Sequence, residues 1–363
     1  MALINEELDA QERVMNRNRQ EFQPYPRTTV NPQRLQEFER AYTQEEVHQF
    51  EKNQKKYDQL LKRKDPLADK AVVVKATPIA GWRQDKFDWN ISGANGGDPN
   101  VATEYIWRDL KSYQLGGKAK ITLNNKVVLD GLYKYGWLYS GTGRVFEYDG
   151  NNRTRLASEV KADASTGHTM DLSGGVGYKM YLGNKGNDFF DFEQTWLTFL
   201  AGYAYHTQHL NLKKGEQIYD SSGTYTLGPF PGLDSPYTAE WKGPWLGLEF
   251  AGDMTKRISG DFRFQYHFAG YNSEGQLNLN PNYKQPKSFS QSGDGHGLVF
   301  NVGMDYRLSK KLFLNLDGSY ENWSVVSGQD EAYLTGGGTQ HARLNNVNWK
   351  NYGVTLGATY QFQ

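Results

Sequence analysis

The chain has 363 residues, with 41 Lys plus Arg against 41 Asp plus Glu and a formal net charge of zero. This balance provides no net positive field to attract nucleic acid, and the absence of cysteine excludes disulfides and thiolate metal sites. Aromatic residues are frequent, with 24 Tyr and 9 Trp, and there are 39 Gly. Since no stretch approaches the roughly 18–20 apolar residues of a spanning helix, a membrane protein with this sequence must be a β-barrel.

Residues 1–75 differ from the rest, because they are dense in Glu, Gln, Lys and Arg. A capping box at Thr43-Gln-Glu-Glu46 predicts a helix that ends near Lys62-Arg63-Lys64, where cations favour the negative helix end. Its apolar stripe is narrow, which leaves two interpretations: a solvated helix, or a periplasmic arm in which residues 1–70 dock a protein partner. The start of the chain lacks a basic segment followed by an apolar core, so we expect that a secretory signal has been removed from it.

Residues 76–363 show alternating apolar and polar positions, which is typical of β-strands. The last strand is the clearest example, because Tyr352, Val354 and Leu356 alternate with neutral polar or glycine positions up to Phe362. We predict ten strands, at residues 87–94, 103–123, 127–140, 169–183, 195–209, 240–251, 258–271, 296–306, 311–324 and 350–362.

The polar face of these strands distinguishes a barrel from a sandwich. It carries Arg263, Asp305, Asp317 and Glu321, each of which would cost several kcal/mol if buried unpaired between two sheets. A hydrated lumen would tolerate them. Short polar turns alternate with long connections rich in Gly, Asn, Ser and Asp, as in up-and-down membrane barrels.

The sequence therefore predicts an all-β fold, a ten-stranded antiparallel up-and-down transmembrane β-barrel with an α-helical N-terminal extension. We expect it in the outer membrane of a Gram-negative type of cell, with the arm in the periplasm. Tyr360 and Phe362 look like the C-terminal aromatic signal read by the outer-membrane insertion machinery.

The chain resembles the omptins, ten-stranded outer-membrane proteases, over roughly residues 87–362. Several motifs, each weak alone, carry the resemblance in the right order: Glu104-Tyr-Ile-Trp107, Trp137 before Gly141-Thr-Gly143, Ala201-Gly-Tyr203, Lys242-Gly-Pro-Trp-Leu-Gly-Leu248, Asn301-Val-Gly303 and Leu356-Gly-Ala-Thr-Tyr-Gln-Phe362.

The resemblance implies a cleft at the outer rim where two acidic pairs face each other. The first, an Asp-x-Asp after the third strand in omptins, falls on Glu147 and Asp149. The second, an Asp-x-His that acts as general base after the seventh strand, falls on Gln276 and Asn278, with Glu274 two residues earlier. Neither Gln nor Asn can take up a proton near neutral pH.

One Asp-x-His does occur further along, at Asp294-Gly-His296. His296 lies about ten residues from a short turn, which places it near the membrane level rather than in a higher cleft. A structural or interfacial role therefore competes with a catalytic one. His206, His209 and His341 show no ligand spacing, and we predict neither a metal nor a cofactor.

Omptins also bind lipopolysaccharide through cationic and polar groups on the outer wall. The matching positions here hold Tyr203, Tyr205, Thr207 and Glu240, and the last of these is a carboxylate where an arginine is expected. Lys242 stands close enough to substitute. The predicted partners are thus outer-membrane lipid, including lipopolysaccharide, and a protein bound by the arm, but no nucleic acid.

The functional hypotheses come from three classes. The first is a non-proteolytic omptin-like barrel that acts as a binding or scaffold protein through its extracellular loops or its arm. The second is a surface endopeptidase with altered chemistry around Glu147, Asp149 and either Glu274 or His296. The third is a small pore, although ten strands leave a lumen that side chains largely fill. A soluble β-protein is the remaining alternative.

Overall fold

The computed structural model describes residues 71–94, 96–184 and 194–362, together with Gln49, Lys52 and Asn53, which are helical. The rest of the predicted N-terminal helix lies outside the described residues. The chain divides into two compact units, Met1–Lys64 and Asp65–Gln363. In the described part, no helix is long and apolar enough to cross a membrane.

The second unit consists almost entirely of β-strands. Besides a short 3-10 helix at Asn151–Arg153, its elements are β1 (Val72–Ile91), β2 (Thr103–Leu123), β3 (Val127–Tyr148), β4 (Leu156–Asn184), β5 (Gln194–Asp220), the two-residue β6 (Gly228–Pro229), β7 (Asp234–Asp253), β8 (Ile258–Gly275), β9 (Phe289–Arg307), β10 (Leu312–Tyr333) and β11 (Thr339–Phe362).

The ten long strands close into a ring. Their order is β4-β3-β2-β1-β11-β10-β9-β8-β7-β5, and β4 also pairs with β5. Every pairing is antiparallel, and the first and last strands meet where Val74 pairs with Phe362. The predicted ten-stranded antiparallel barrel is confirmed.

The two ends of the barrel differ, as predicted. One end, which we call the short-turn end, carries the turns at residues 124–126, 254–257 and 308–311. The other, the loop end, carries the connections 92–102, 149–155, 221–233, 276–288 and 334–338. β1 begins and β11 ends at the short-turn end.

An apolar belt surrounds the half of the barrel nearer the short-turn end. On β11 the outward side chains from Tyr352 to Phe362 are exposed or half-buried and are all apolar. These eleven residues match the 9–11 that a tilted transmembrane strand needs. Aromatic residues stand at the loop-end border of the belt, among them Trp82, Tyr113, Tyr139, Tyr203, Phe268, Tyr320 and Tyr352.

Above the belt, the apolar residues change from the outward positions of each strand to the inward positions. On β11, Val354 and Leu356 point outward, whereas nearer the loop end Trp349 and Val347 are fully buried inside and Lys350 is exposed outside. On β1, Trp82 lies on the outer wall and Phe87 is buried within. Apolar residues therefore face lipid in the belt and face the interior above it.

This reversal explains why most predicted strands were too short. The predicted bounds of β2, 103–123, are confirmed, but β4, β5 and β11 begin or end 11 to 13 residues further toward the loop end than predicted. β1 differs from these strands, because it begins at Val72 instead of residue 87, so that its belt half was missed, and it ends at Ile91 instead of residue 94. The segments expected as long loops are in large part strand, because the reversed pattern continues the sheet with apolar side chains on the opposite face.

The interior consequently has two zones. The belt half holds charged and polar side chains around a cavity of about 210 Å³. The loop-end half holds an aromatic core, defined here by the buried residues Phe87, Trp89, Trp107, Tyr237, Trp241, Tyr271, Phe289, Trp323 and Trp349.

Candidate functional site

The predicted first acidic pair lies at the loop end of β3. Glu147 pairs with Thr103 of β2 and Ser158 of β4, and Asp149 follows directly after the strand. Desolvation and the negative charges of Asp149 and Asp220 raise the pKa of the Glu147 carboxyl. The structure therefore brings the two predicted carboxylates together and adds Asp220 to them.

The predicted second set does not face this pair. Glu274 lies exposed on the outer wall of β8, where it forms an ion pair with Lys287. Gln276 and Asn278 lie in the connection 276–288. The Asn278 side chain is used locally, because its Oδ1 accepts from Ser235 Oγ at 2.9 Å and its Nδ2 donates to the Gly232 carbonyl at 2.7 Å.

His296 also lies on the outer wall. It pairs with Phe268, an exposed belt residue, and its ring stacks on Tyr266 with centroids 6.3 Å apart. This position at the border of the belt agrees with the expected membrane level. The His296 imidazole therefore lies outside the barrel wall, whereas Glu147 faces the interior.

The aromatic core fills the interior between the two predicted sets. Trp107 of β2 stacks on Tyr237 of β7 at 5.2 Å, and Trp89 of β1 contacts Phe289 of β9 at 5.6 Å, measured between ring centroids. Trp107 and Trp89 are at most 2% exposed. These contacts join β1 and β2 directly to β7 and β9, so the strands that the structure describes leave no open cleft between these four at this level.

Sequence reasoning missed a buried polar network within the aromatic core. Asp330 is 4% exposed and accepts a hydrogen bond from Gln291 Nε2 at 3.0 Å. Gln291 Oε1 in turn accepts from Tyr237 and Ser273 at 3.1 Å each. Burial, with a further contribution from Glu331, raises the pKa of Asp330 to about 6 although the Gln291 bond opposes this shift.

No sequence signal could have identified Asp330, since it follows a disruption of the β10 register between Val325 and Gly328. This irregularity shifts the inward positions by one residue, so counting alternate residues along β10 from the belt does not predict that Asp330 points inward.

A charged layer separates the aromatic core from the cavity below. Arg83 donates to Asp85 and to Asp171 at 2.9 Å, and His206 Nδ1 lies 2.9 Å from Asp171. Lys134 Nζ stands 3.4 Å from the same Asp171 carboxylate. These groups are at most 9% exposed, and each cation has a carboxylate partner. Among the described residues, no three His, Asp or Glu side chains are placed to hold a metal ion.

A groove on the outer wall above the belt was not predicted either. It has a volume of about 600 Å³ and crosses β5, β7, β8, β9 and β10. Polar residues of two adjacent rows form it. The row nearer the belt contains Glu240, Asn272, Ser292 and Gln329, and the row nearer the loop end contains His209, Thr238, Glu274, Ser290 and Glu331.

The sequence model of the Pom family, described as Protochlamydia outer membrane protein, matches residues 78–362. No curated protein sequence matches the chain.

Among solved structures, the outer membrane protease OmpT from Escherichia coli superposes with a TM-score of 0.63 at 15% identity, covering 80% of this chain and 97% of that chain. The outer membrane protein OprG from Pseudomonas aeruginosa gives a TM-score of 0.34 at 11% identity, covering 81% and 96%. At this identity OmpT supports the fold alone, and it confirms the omptin-like architecture. Because the family match spans nearly the whole barrel, the chain belongs to the Protochlamydia outer membrane protein family.

Proposed function

We propose that this protein is a non-proteolytic outer-membrane barrel that acts as a binding or scaffold protein through its loop-end half or its N-terminal arm. The observation that carries the proposal is the aromatic core. Omptin-type hydrolysis would need a carboxylate pair and a general base to share one water molecule in an open cleft. Here Trp107, Trp89 and Tyr237 instead pack against each other across the interior, where an open cleft would have to lie.

The residues predicted to form the second half of an omptin-type site support the same proposal. Gln276 and Asn278 cannot act as bases, and the two groups that could, Glu274 and His296, point away from Glu147 on the outer wall. The loss of a general base alone typically removes a factor of about 10²–10⁴ in rate.

An endopeptidase with altered chemistry is the second candidate, because Glu147, Asp149 and Asp220 form a carboxylate cluster with a raised pKa at Glu147. The experiment is a cleavage assay with the full chain in detergent supplemented with lipopolysaccharide and a dibasic fluorogenic peptide. We expect no cleavage above the blank. Cleavage that Asp149→Ala abolishes, and that the outer-wall control Asp109→Ala retains, would overturn the proposal.

A pore function is disfavoured by the same core. Trp241, Trp323 and Trp349 are at most 1% exposed and contact each other above the polar cavity, with centroid distances of 5.4 to 6.2 Å. We expect no single-channel conductance from the purified barrel in a planar bilayer. Channel events above background would favour the pore instead.

The proposed orientation places the short-turn end toward the periplasm and the loop end outside. β1 begins at the short-turn end with Val72, so in this orientation the chain enters the barrel from the periplasm, where we propose that residues 1–70 bind a protein partner. The belt would contact outer-membrane lipid. Lipopolysaccharide would contact its upper border near Tyr203, Tyr205 and Lys242, which are neighbours on β5 and β7.

A further inference from the structure

The outer-wall groove has the dimensions of a ligand site. Its volume of about 600 Å³ lies within the roughly 300–1,000 Å³ of small-molecule sites. Five neighbouring strands at about 4.8 Å spacing give it a length of roughly 19 Å. A site of this length suits a short extended chain rather than a single compact molecule.

The centre of the groove consists of neutral side chains with unused hydrogen-bonding capacity. Asn272, Ser292 and Gln329 are direct neighbours across β8, β9 and β10. All three are exposed, and none of their side chains has a hydrogen-bond partner among the described residues. Amide and hydroxyl groups can each donate and accept, which matches a ligand rich in hydroxyl groups.

The carboxylates around the centre of the groove already have partners within the protein, and their negative charge excludes an anionic ligand. Glu240 accepts from the Tyr205 hydroxyl at 3.0 Å, Glu274 pairs with Lys287, and Glu331 accepts from the Tyr333 hydroxyl at 3.3 Å. Three carboxylates stand against one lysine, so phosphate or sulfate groups would be repelled.

The backbone excludes a peptide that adds to the sheet. β7, β8 and β9 each pair with a neighbouring strand on both sides, so no strand edge is free beneath the groove. The lining also provides no apolar pocket for peptide side chains. Recognition must therefore use side-chain hydrogen bonds.

Tyr333 is a neighbour of the groove, because its hydroxyl contacts the lining residues Ser290 and Glu331. Its hydroxyl lies 2.6 Å from Ser290 Oγ, and Lys287 Nζ stands 5.5 Å from its ring centroid. These contacts fix the Tyr333 ring beside the row nearer the loop end, where it can provide an apolar edge for a sugar ring.

We propose that this groove binds a neutral oligosaccharide chain through Asn272, Ser292 and Gln329. The inference rests on the binding role proposed above and gives it a site and a ligand class. The groove lies outside the belt, two residues beyond Lys242 and Gly270 on β7 and β8. A chain bound there would run across the strands along the membrane surface.

The test uses the full chain, biotinylated, in a zwitterionic detergent without a sugar headgroup. It is applied to an array of neutral oligosaccharides, of sialylated and sulfated ones, and of polar peptides. The neutral set includes external glucans and mannans as well as the neutral core oligosaccharide released from lipopolysaccharide, so that the two sources can be distinguished. Saturation-transfer NMR on the strongest neutral chain gives its affinity.

We expect binding to neutral chains only, weakened at least tenfold by Asn272→Ala or Gln329→Ala and blocked by Ser292→Tyr. These side chains lie on the outer surface, and a heat-modifiable gel shift checks that each variant folds. Asn322→Ala is the matched control, since Asn322 lies on the outer face of β10 but outside the groove.

Three results would overturn the inference: no neutral chain binds, binding persists in the Asn272 and Gln329 variants, or the anionic chains or peptides bind more tightly than the neutral ones. Failure of this inference leaves the non-proteolytic function intact, because that function is decided by the cleavage and conductance assays.

Discussion

Trp323 on β10 lies directly against Gly297, its paired residue on β9, so closely that a Cβ atom on Gly297 would collide with the indole ring. Phe289 occupies the same position over Gly275 on β8. Glycines on the inward face therefore make room for the rings of the aromatic core. In this half of the barrel they have a packing role, which Gly318 on the outer wall of the belt lacks.

Gly297→Ala is expected to lower the free energy of unfolding by about 1–3 kcal/mol, because overpacking displaces the Trp323 ring. Gly318→Ala is the matched control, since no atom lies within 4 Å of a Cβ at Gly318. Alanine there should leave stability unchanged or raise it by up to about 1 kcal/mol. Urea unfolding in lipid vesicles measures both. Equal midpoints for the two variants would contradict the packing role.

Apart from β1, whose belt half was missed, and β2, whose bounds were correct, the sequence predicted the belt half of the barrel well and the loop-end half poorly, and the reason is physical. In the belt, lipid outside and charges inside produce one consistent alternation, from which Val354, Leu356 and Asp317 were assigned to the correct faces. Above the belt, water replaces lipid outside, so the same strands continue with Trp349 and Val347 inside. A prediction that expects apolar residues on the same face along the whole strand therefore ends most strands at this border.

The candidate site was predictable only in part. The resemblance to omptins assigned Glu147 and Asp149 to one acidic pair, and in the structure the Asp149 charge is among the causes that raise the pKa of Glu147. The outer-wall groove could not be found, because its residues are neighbours across five strands and their register depends on the disruption between Val325 and Gly328. Cross-strand neighbours of this kind leave no local pattern in the sequence.

Arg83→Met is expected to destabilise the barrel by about 3–5 kcal/mol, because it leaves the buried carboxylates of Asp85 and Asp171 without their shared cation. All three side chains are at most 2% exposed. The exposed pair of Arg144 and Glu159 provides the control, and Arg144→Met should cost less than about 1 kcal/mol. Similar losses in the two variants, measured by urea unfolding, would show that Arg83 is not the essential cation of this layer.

The double variant Trp241→Ala/Trp323→Ala is expected to give channel events in a planar bilayer, whereas the wild-type barrel gives none. The two rings lie 5.8 Å apart, and Trp323 rests on His206 and His267, which line the polar cavity. Their removal would extend that cavity toward the loop end. Trp82→Ala on the outer wall is the control and should remain silent. A folded but silent double variant would mean that these two rings alone do not close the lumen.

Asp330 is expected to make stability depend on pH between about 4 and 6. The pKa of Asp330 is about 6 in the folded barrel against the ordinary aspartate value of 3.8, so in this range the native state retains a proton that the unfolded state releases. The free energy of unfolding should therefore fall as pH rises, by about 3 kcal/mol in total, and change no further above pH 6. Asp330→Asn cannot titrate, and its Oδ1 can still accept from Gln291 Nε2. Part of this change lies below pH 4, so the wild-type loss between pH 4 and pH 7, measured by urea unfolding, should exceed that of Asp330→Asn by about 2 kcal/mol, while the exposed control Asp294→Asn should follow the wild type. Parallel pH profiles for wild type and Asp330→Asn would exclude Asp330 as the titrating group.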